Sequence, residues 1–232
     1  MRKELKELNR GEIFKEEVRD AKGSEQRGYR PFMVVSDHAF NRINGYALVC
    51  PLSNQEYLEP DGIKIKTQQS LITGWVLTQH ITPYLSSYIG NSDSMVTIVD
   101  EAEEDSVDKC LEVFKAISTK TEYEYNGLNQ GEIVKLDLGN KQCHAVVLSE
   151  NSFNKHHNSV WVAPIIIEDG YDEEPDHVNI EAEELFGNGR GIAYIEAIRN
   201  IHPKERNLEK ANVSVSTSEL ENCLEILNIF FE

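Results

Sequence analysis

The sequence is short of positive charge. It carries 23 lysines and arginines against 40 aspartates and glutamates, a formal net charge of −17. That balance opposes unspecific attraction to nucleic acid or to an anionic membrane, so an RNA-binding reading requires basic groups that converge locally. Long apolar runs are also missing. Nothing approaches the roughly 18–20 residues that span a bilayer, and the opening MRKELKELNRGE lacks the apolar centre of a signal peptide, so a cytoplasmic protein without a membrane partner is expected. Cysteine is sparse. Cys50, Cys110, Cys143 and Cys223 lie far apart with no CxxC pair, which argues against a disulfide frame or a zinc site and for reduced, mostly buried thiols. The histidines, His38, His80, His144, His156, His157, His177 and His202, show no ligand spacing. No metal and no cofactor are expected.

What the chain does have is an internal duplication. GEIFKEEV begins at Gly11 and GEIVKLDL at Gly131, an offset of 120 residues. Val34 to Leu52, VVSDHAFNRINGYALVCPL, then answers Val147 to Ile165, VLSENSFNKHHNSVWVAPI, at an offset of 113. Seven residues are therefore missing from the second copy, at the place where GSEQRG stands in the first. GWVLTQHI from Gly74 matches GIAYIEAI from Gly191, and CLEVF from Cys110 matches CLEIL from Cys223. Ordered matches of this kind mark a repeated unit. The reading is a first domain over 1–118, a linker over 119–130 containing an Asn-Gly pair, and a second domain over 131–232.

Each copy is a succession of short runs rich in Val, Ile, Leu and aromatics, broken by Gly, Asn and Asp, followed by one helix. In the first copy strands are expected near 11–18, 30–36, 46–52, 62–66, 75–81 and 95–98, with Asn44-Gly45 as a turn between two of them. Val107, Cys110, Leu111, Phe114 and Ile117 share one helical face, and Asp100 with Glu103 is the expected cap. In the second copy Leu220, Leu224, Leu227 and Phe231 repeat that face, with Ser218 and Glu221 as a capping box. Trp75 and Trp161 fall in strand patterns and read as core. The acidic run Glu101 to Asp105 suits a helix start, and Asp169 to Asp176 reads as a solvated loop that could also mask a basic groove.

The stretch absent from the second copy is chemically the richest. In GSEQRGYRP, Gly23 and Gly28 permit positive φ, so backbone N–H groups can turn toward an oxyanion. Pro31 holds Arg30 extended, and a guanidinium there can grip two phosphate oxygens. Glu25 is the loop's carboxylate, readable either as an ion-pair partner of Arg27 and Arg30 or as a base for a hydroxyl nucleophile. Ser53, ending YALVCPLS, fits a phosphate or ribose contact or a plain strand-end turn.

RGEIF, GSEQRGYRP followed by FMVVS, AFNR, CPLS and GWVLTQHI together resemble the MazF/PemK/Kid family of toxin ribonucleases over nearly all of residues 10–118. The resemblance implies a β-rich α+β fold, here as two tandem SH3-like small β-barrels with C-terminal helices, packed as an intramolecular pseudo-dimer. It implies a type II toxin acting as a metal-independent endoribonuclease on single-stranded RNA, including mRNA, and a cognate antitoxin as partner. In that chemistry the 2'-hydroxyl attacks the adjacent phosphate, leaving a cyclic phosphate and a 5'-hydroxyl. By matched position Arg30 would steady the pentavalent phosphate, Glu25 would be the base and Ser53 would keep the hydroxyl of a family threonine. Gly23, Ser24, Gln26, Arg27, Tyr29, Gln79 and His80 would line the RNA.

Departures accompany the matches. Gln79, His80, Ile81 and Thr82 stand where the family has an acidic residue, then Gln, Ile and often Arg. The second copy keeps Glu196 and Arg199 in EAIR, but Cys143 and His144 replace Arg30 and Pro31, and Ile166 replaces Ser53. One complete site at most is expected. The other reading is a catalytically weakened relative that works by binding, as an antitoxin decoy or on a protein target as the CcdB branch does, although NIFFE lacks that branch's Trp-Gly-Ile ending.

Overall fold

The structure is a computed structural model, described over residues 1–18, 28–57, 62–84, 95–121, 126–138, 141–168, 174–187 and 190–232. It divides into one unit of Met1–Lys115 with Phe230–Glu232 and another of Ala116–Ile229. The apolar runs become strands because β-branched and aromatic side chains fit a pleated, half-buried surface. In the first unit these are β1 (Arg2–Glu4), β2 (Glu12–Val18), β3 (Gly28–Val34), β4 (Ala47–Ser53), β5 (Ile63–Lys64), β6 (Trp75–Val76), β7 (Thr82–Tyr84) and β8 (Met95–Glu101). They pair in the order β1-β8-β2-β3-β4-β6-β5, with β7 on β4. Helix α1 (His38–Asn44) joins β3 to β4, and α2 (Glu104–Ile117) follows β8.

Both faces of the central strands are buried. Phe14, Phe32, Val34, Ala47 and Val49 cluster with Leu5, Leu8, Tyr84 and Val96 on one face. Ile13, Met33, Leu48 and Cys50 point the other way and are equally enclosed. The thiol of Cys50 is pushed well up by burial, with Cys110 of α2 acting in the same sense. Phe114 of α2 packs tilted against Phe231 at 5.0 Å between ring centroids, and Phe230 packs edge-on against Phe40 of α1. Arg10 ties the same end down, donating from Nε to the Val35 carbonyl and from Nη2 to that of Phe230.

The second unit repeats the plan. Its strands are β9 (Glu132–Leu138), β10 (Lys141–Val147), β11 (Val160–Glu168), β12 (His177–Ile180), β13 (Arg190–Tyr194), β14 (Arg199–Ile201) and β15 (Glu209–Ser214). Their order is β12-β13-β11-β10-β9-β15, with β14 on β11. Helices α3 (Asn151–His157), α4 (Glu183–Phe186) and α5 (Thr217–Ile229) complete it. Its core face gathers Val134, Leu136, Ala145, Val147, Val160, Val162 and Ile201. Nine residues, 19–27, connect β2 to β3, whereas two, 139–140, connect β9 to β10, which is the seven-residue deletion seen in the alignment of the copies. Among the described residues the pairings of both sheets run as open paths.

The repeated Phe-Asn pair has a structural cause. Ser36 Oγ donates to Asn41 Oδ1 at 2.5 Å and accepts from Leu48 N, while Asn41 Nδ2 donates to the Leu8 carbonyl. Ser149 and Asn154 make the same bond in the second unit, Ser149 Oγ accepts from Trp161 N, and Asn154 Nδ2 donates to Leu128. Each copy thereby satisfies the buried polar groups where strand, helix and strand meet.

Several local expectations are corrected. Asn44-Gly45 is no hairpin turn: Gly45 caps the C-terminus of α1, because Asp37 caps its start by accepting from Phe40 N and the segment between gains a helix. The expected strand over 75–81 stops at Val76 and gives way to a single 3₁₀ turn, Thr78–His80, before β7. Asp100 does not cap α2. It is buried and accepts from Thr67 Oγ1 and from the N–H groups of Gln69, Leu71, Ile72 and Glu101, clasping the segment that leads to β6. The capping box of α5 is Ser216 with Glu219, two residues before the expected pair: Ser216 N donates to Glu219 Oε2 and Glu219 N to Ser216 Oγ. The four cysteines are free, three of them buried.

Candidate active site

Strand register decides which side chains meet. On β3 and β4, Phe32 stands across from Pro51 at the end of the ladder, and Arg30 and Ser53, each two residues further along its own strand, fall on the same face. Alternate residues share a face, which puts both side chains beside the apolar cluster of Phe32 and Val34. On the other side of β3, Glu16 of β2 is the direct cross-strand partner of Arg30. The three strands thus bring a carboxylate, a guanidinium and a hydroxyl into one row.

Arg30 is half-buried. Burial pulls its pKa below the usual arginine value while Tyr57 acts in the opposite sense, and arginine remains a cation throughout. Gly28 opens β3 with φ of +83°, a conformation costly for any side chain, so the chain enters the strand through a residue that tolerates it. Tyr29 follows, 72% exposed and on the face opposite Arg30, so of the expected RNA-lining residues it does not join the row. Ser53 Oγ accepts from Gln55 N at 3.1 Å, the geometry of a strand-end turn. A Cβ at Gly74 would lie 2.4 Å from the Ser53 carbonyl oxygen, so only glycine lets β6 approach that strand end. Gln79 and His80, both half-buried, lie in the 3₁₀ turn that follows Leu77, whose N–H donates to Pro51 O. Gly23, Ser24, Glu25, Gln26 and Arg27 lie outside the described residues.

Two residues that the sequence reading passed over belong to the same surroundings. One is Glu16. The other is Tyr84, whose ring packs on Phe14 at 4.6 Å and whose hydroxyl is buried without a hydrogen-bond partner. The duplication itself carried the signal: an offset of 120 sets Glu16 over Leu136, a swap that an apolar strand face does not require.

In the second unit the corresponding row is Leu136, Cys143 and Ile166. Leu136 and Cys143 are cross-strand partners as Glu16 and Arg30 are, and Cys143 is half-buried against the core. Arg199, across from Val162, is a charged residue on this face, where the first unit has Thr82 across from Val49. Glu196 is buried in the turn Ile195–Ala197, with Oε1 3.6 Å from His177 Nε2 and Oε2 lacking a hydrogen-bond partner. Burial raises its pKa to about 6, with His177 opposing the rise.

Among the described residues, no group of three or more His, Cys, Asp or Glu is placed to hold a metal, and no helix is long and apolar enough to cross a membrane.

A family model described as PemK-like, MazF-like toxin of type II toxin-antitoxin system matches residues 9–114 and again 129–231. No curated protein sequence matches the chain. Among solved structures, a MazE-MazF complex from Deinococcus radiodurans is 19% identical, aligning 45% of this chain with 93% of that one at a TM-score of 0.37. A MazF structure from the same organism gives 21% identity, 44% and 88% coverage and a TM-score of 0.38. An endoribonuclease in complex with its cognate antitoxin from Mycobacterial species gives 17%, 43%, 89% and 0.35.

Proposed function

Since the chain belongs to the family of PemK-like, MazF-like toxins of type II toxin–antitoxin systems, carrying two copies of its domain, we propose that it is a metal-independent endoribonuclease whose site lies on the first copy. The observation that carries the reading is the row of Arg30 and Ser53 on one face, in the copy that also keeps GSEQRGYRP. Arg30 holds the scissile phosphate through two N–H groups and meets the charge that grows on its oxygens as the 2'-oxygen attacks. Ser53 offers a hydroxyl to the same group. Glu25 is the carboxylate that the family resemblance offers as proton acceptor, with Gly23, Ser24, Gln26, Arg27, Gln79 and His80 along the strand of RNA. Holding attacking and leaving oxygens in line supplies much of the acceleration without a metal.

The second copy serves as scaffold. In this reading each copy closes as a small SH3-like barrel and the two pack as an intramolecular pseudo-dimer, the repeat supplying what a second chain supplies elsewhere. A cognate antitoxin is the protein partner, and the cytoplasm, where mRNA is available, is the site of action. The net charge of −17 and the Gln79–Thr82 departure favour the competing reading, a binding protein without catalysis. The test is incubation with long single-stranded RNA in EDTA beside Arg30→Ala. Fragments with cyclic phosphate and 5'-hydroxyl ends, lost in the variant, support the nuclease; intact RNA at stoichiometric protein gives the function to binding.

A further inference from the structure

Glu16 and Tyr84 are polar where the fold accepts apolar residues. Glu16 pairs with Arg30 as Leu136 pairs with Cys143. Tyr84 pairs with Ala47 on β4 as Ile201 pairs with Val160 on β11. Both apolar counterparts sit in the second unit's core cluster. A fold that packs Leu and Ile at these places has no structural need for a carboxylate and a phenol.

Their surroundings give each a use. Directly opposed residues on paired antiparallel strands have Cβ atoms about 4.5–5.5 Å apart, so the Glu16 carboxylate is within reach of whatever Arg30 grips. Tyr84 is only 6% exposed, and a buried hydroxyl left without a partner forfeits its hydration with nothing in return. Phe14, two residues before Glu16 on the same face of β2, has its ring 4.6 Å from that of Tyr84, and burial pushes the phenol well up with the charge of Glu16 acting in the same sense. The groups facing Glu16 are Arg30 from β3 and Tyr84 from β7, while β8 contributes the buried, apolar Val96.

We infer that Glu16 is the group that takes the proton from the attacking 2'-hydroxyl at the Arg30 face, with Tyr84 beside it as a positioning residue. The inference rests on the proposed nuclease function and assigns its base to a strand instead of to the 19–27 connection. As the proton passes to Glu16, the 2'-oxygen bonds to phosphorus and the bond from phosphorus to the 5'-oxygen breaks. The departing alkoxide takes a proton from water, and Glu16 returns its own proton to solvent.

The test is steady-state cleavage of single-stranded RNA in EDTA over about pH 5 to 9 by the full chain and by Glu16→Gln, Glu25→Gln and Tyr84→Phe, with thermal melting of each. Binding of a 2'-deoxy analogue of the strand, which lacks the nucleophile, is measured alongside. Glu16→Gln is expected to lower kcat by about 10²–10⁴-fold and to abolish the acid limb of the rate profile, with analogue binding unchanged. Tyr84→Phe should lower kcat by a smaller factor than Glu16→Gln and leave KM unchanged, as expected of a residue that positions the base. If the chain cuts RNA and the acid limb survives in Glu16→Gln, or vanishes in Glu25→Gln instead, the inference is overturned and the nuclease reading stands. A folded wild-type chain that cuts nothing overturns both.

Discussion

One strand position reads Glu16 in the first unit and Leu136 in the second; across the ladder stand Arg30 and Cys143, and by the repeat offset Ser53 and Ile166. The backbone pairing is the same and the chemistry is opposite. In the second unit the same row holds aliphatic side chains and a thiol that burial keeps protonated, and the charge on this face comes from Arg199 across from Val162. The first unit pays in stability for its polar row, and such local violations of packing logic are where function is expected. Outside the row the units differ in the reverse sense. Glu196 and His177 form a buried polar pair in the second unit, while in the first the matching turn carries Gln79.

The comparison can be broken most forcefully at the chain's end. By the repeat offset Phe231 corresponds to Ser118, one a buried ring on Phe114, the other a hydroxyl donating to Asn228 Oδ1. Phe231→Ala should cost about 3–5 kcal/mol, against about 1 kcal/mol for Ser118→Ala, read by denaturant unfolding. Equal costs would mean that the two ends do equivalent work.

Asp100 is next. In the second unit its place before the bond from Val215 N to Gly131 O is taken by Val213. Burial by itself would raise the Asp100 pKa, but the Thr67 hydroxyl and the N–H groups of Glu101, Gln69 and Leu71 overcome it and hold the value low. Asp100→Val should cost about 2–4 kcal/mol at neutral pH by stranding buried donors. A depressed carboxylate contributes stability above its unfolded value of about 3.9 and loses it as pH falls further, so the gap between wild type and variant should close below about pH 4.

Glu196 has the opposite sign. Its folded pKa of about 6 lies above the unfolded value, so the folded state binds the extra proton and stability falls as pH rises through that interval. Glu196→Gln should therefore stabilise the chain at pH 7, on the order of 1–2 kcal/mol. The advantage should vanish toward pH 4.5, which thermal melting at several pH values would show. The smallest effect sharpens the first comparison: Tyr84→Phe removes an unsatisfied buried hydroxyl and should raise stability by about 1 kcal/mol, in the direction of the Ile201 already accepted by the second unit. A loss instead would mean that the hydroxyl is held by the fold.

Local pattern carried part of this architecture. The Gly-Glu-Ile starts, the Phe-Asn pairs and the CLE helices were visible as repeats because the same residues recur in the same order and spacing, although the bond from Asn41 to Leu8 that uses one of them spans 33 residues. The errors share one cause. Asp100 looks like a cap because it precedes a helix, yet its partners Thr67 to Ile72 lie about thirty residues back in the chain. Ser218 and Glu221 have capping-box spacing, but the backbone entered α5 two residues sooner, with Ser216 and Glu219. Glu16 was passed over because, read along its own strand, it is one charge among Lys15 and Glu17.

By itself the sequence determined the duplication, the family and the loss of the loop from one copy, since these are properties of order and spacing. Only the tertiary structure decided that Glu16, Arg30 and Ser53 share a face while Tyr29 turns away. Facing depends on strand register, and register is set by pairing between segments that the linear order keeps apart.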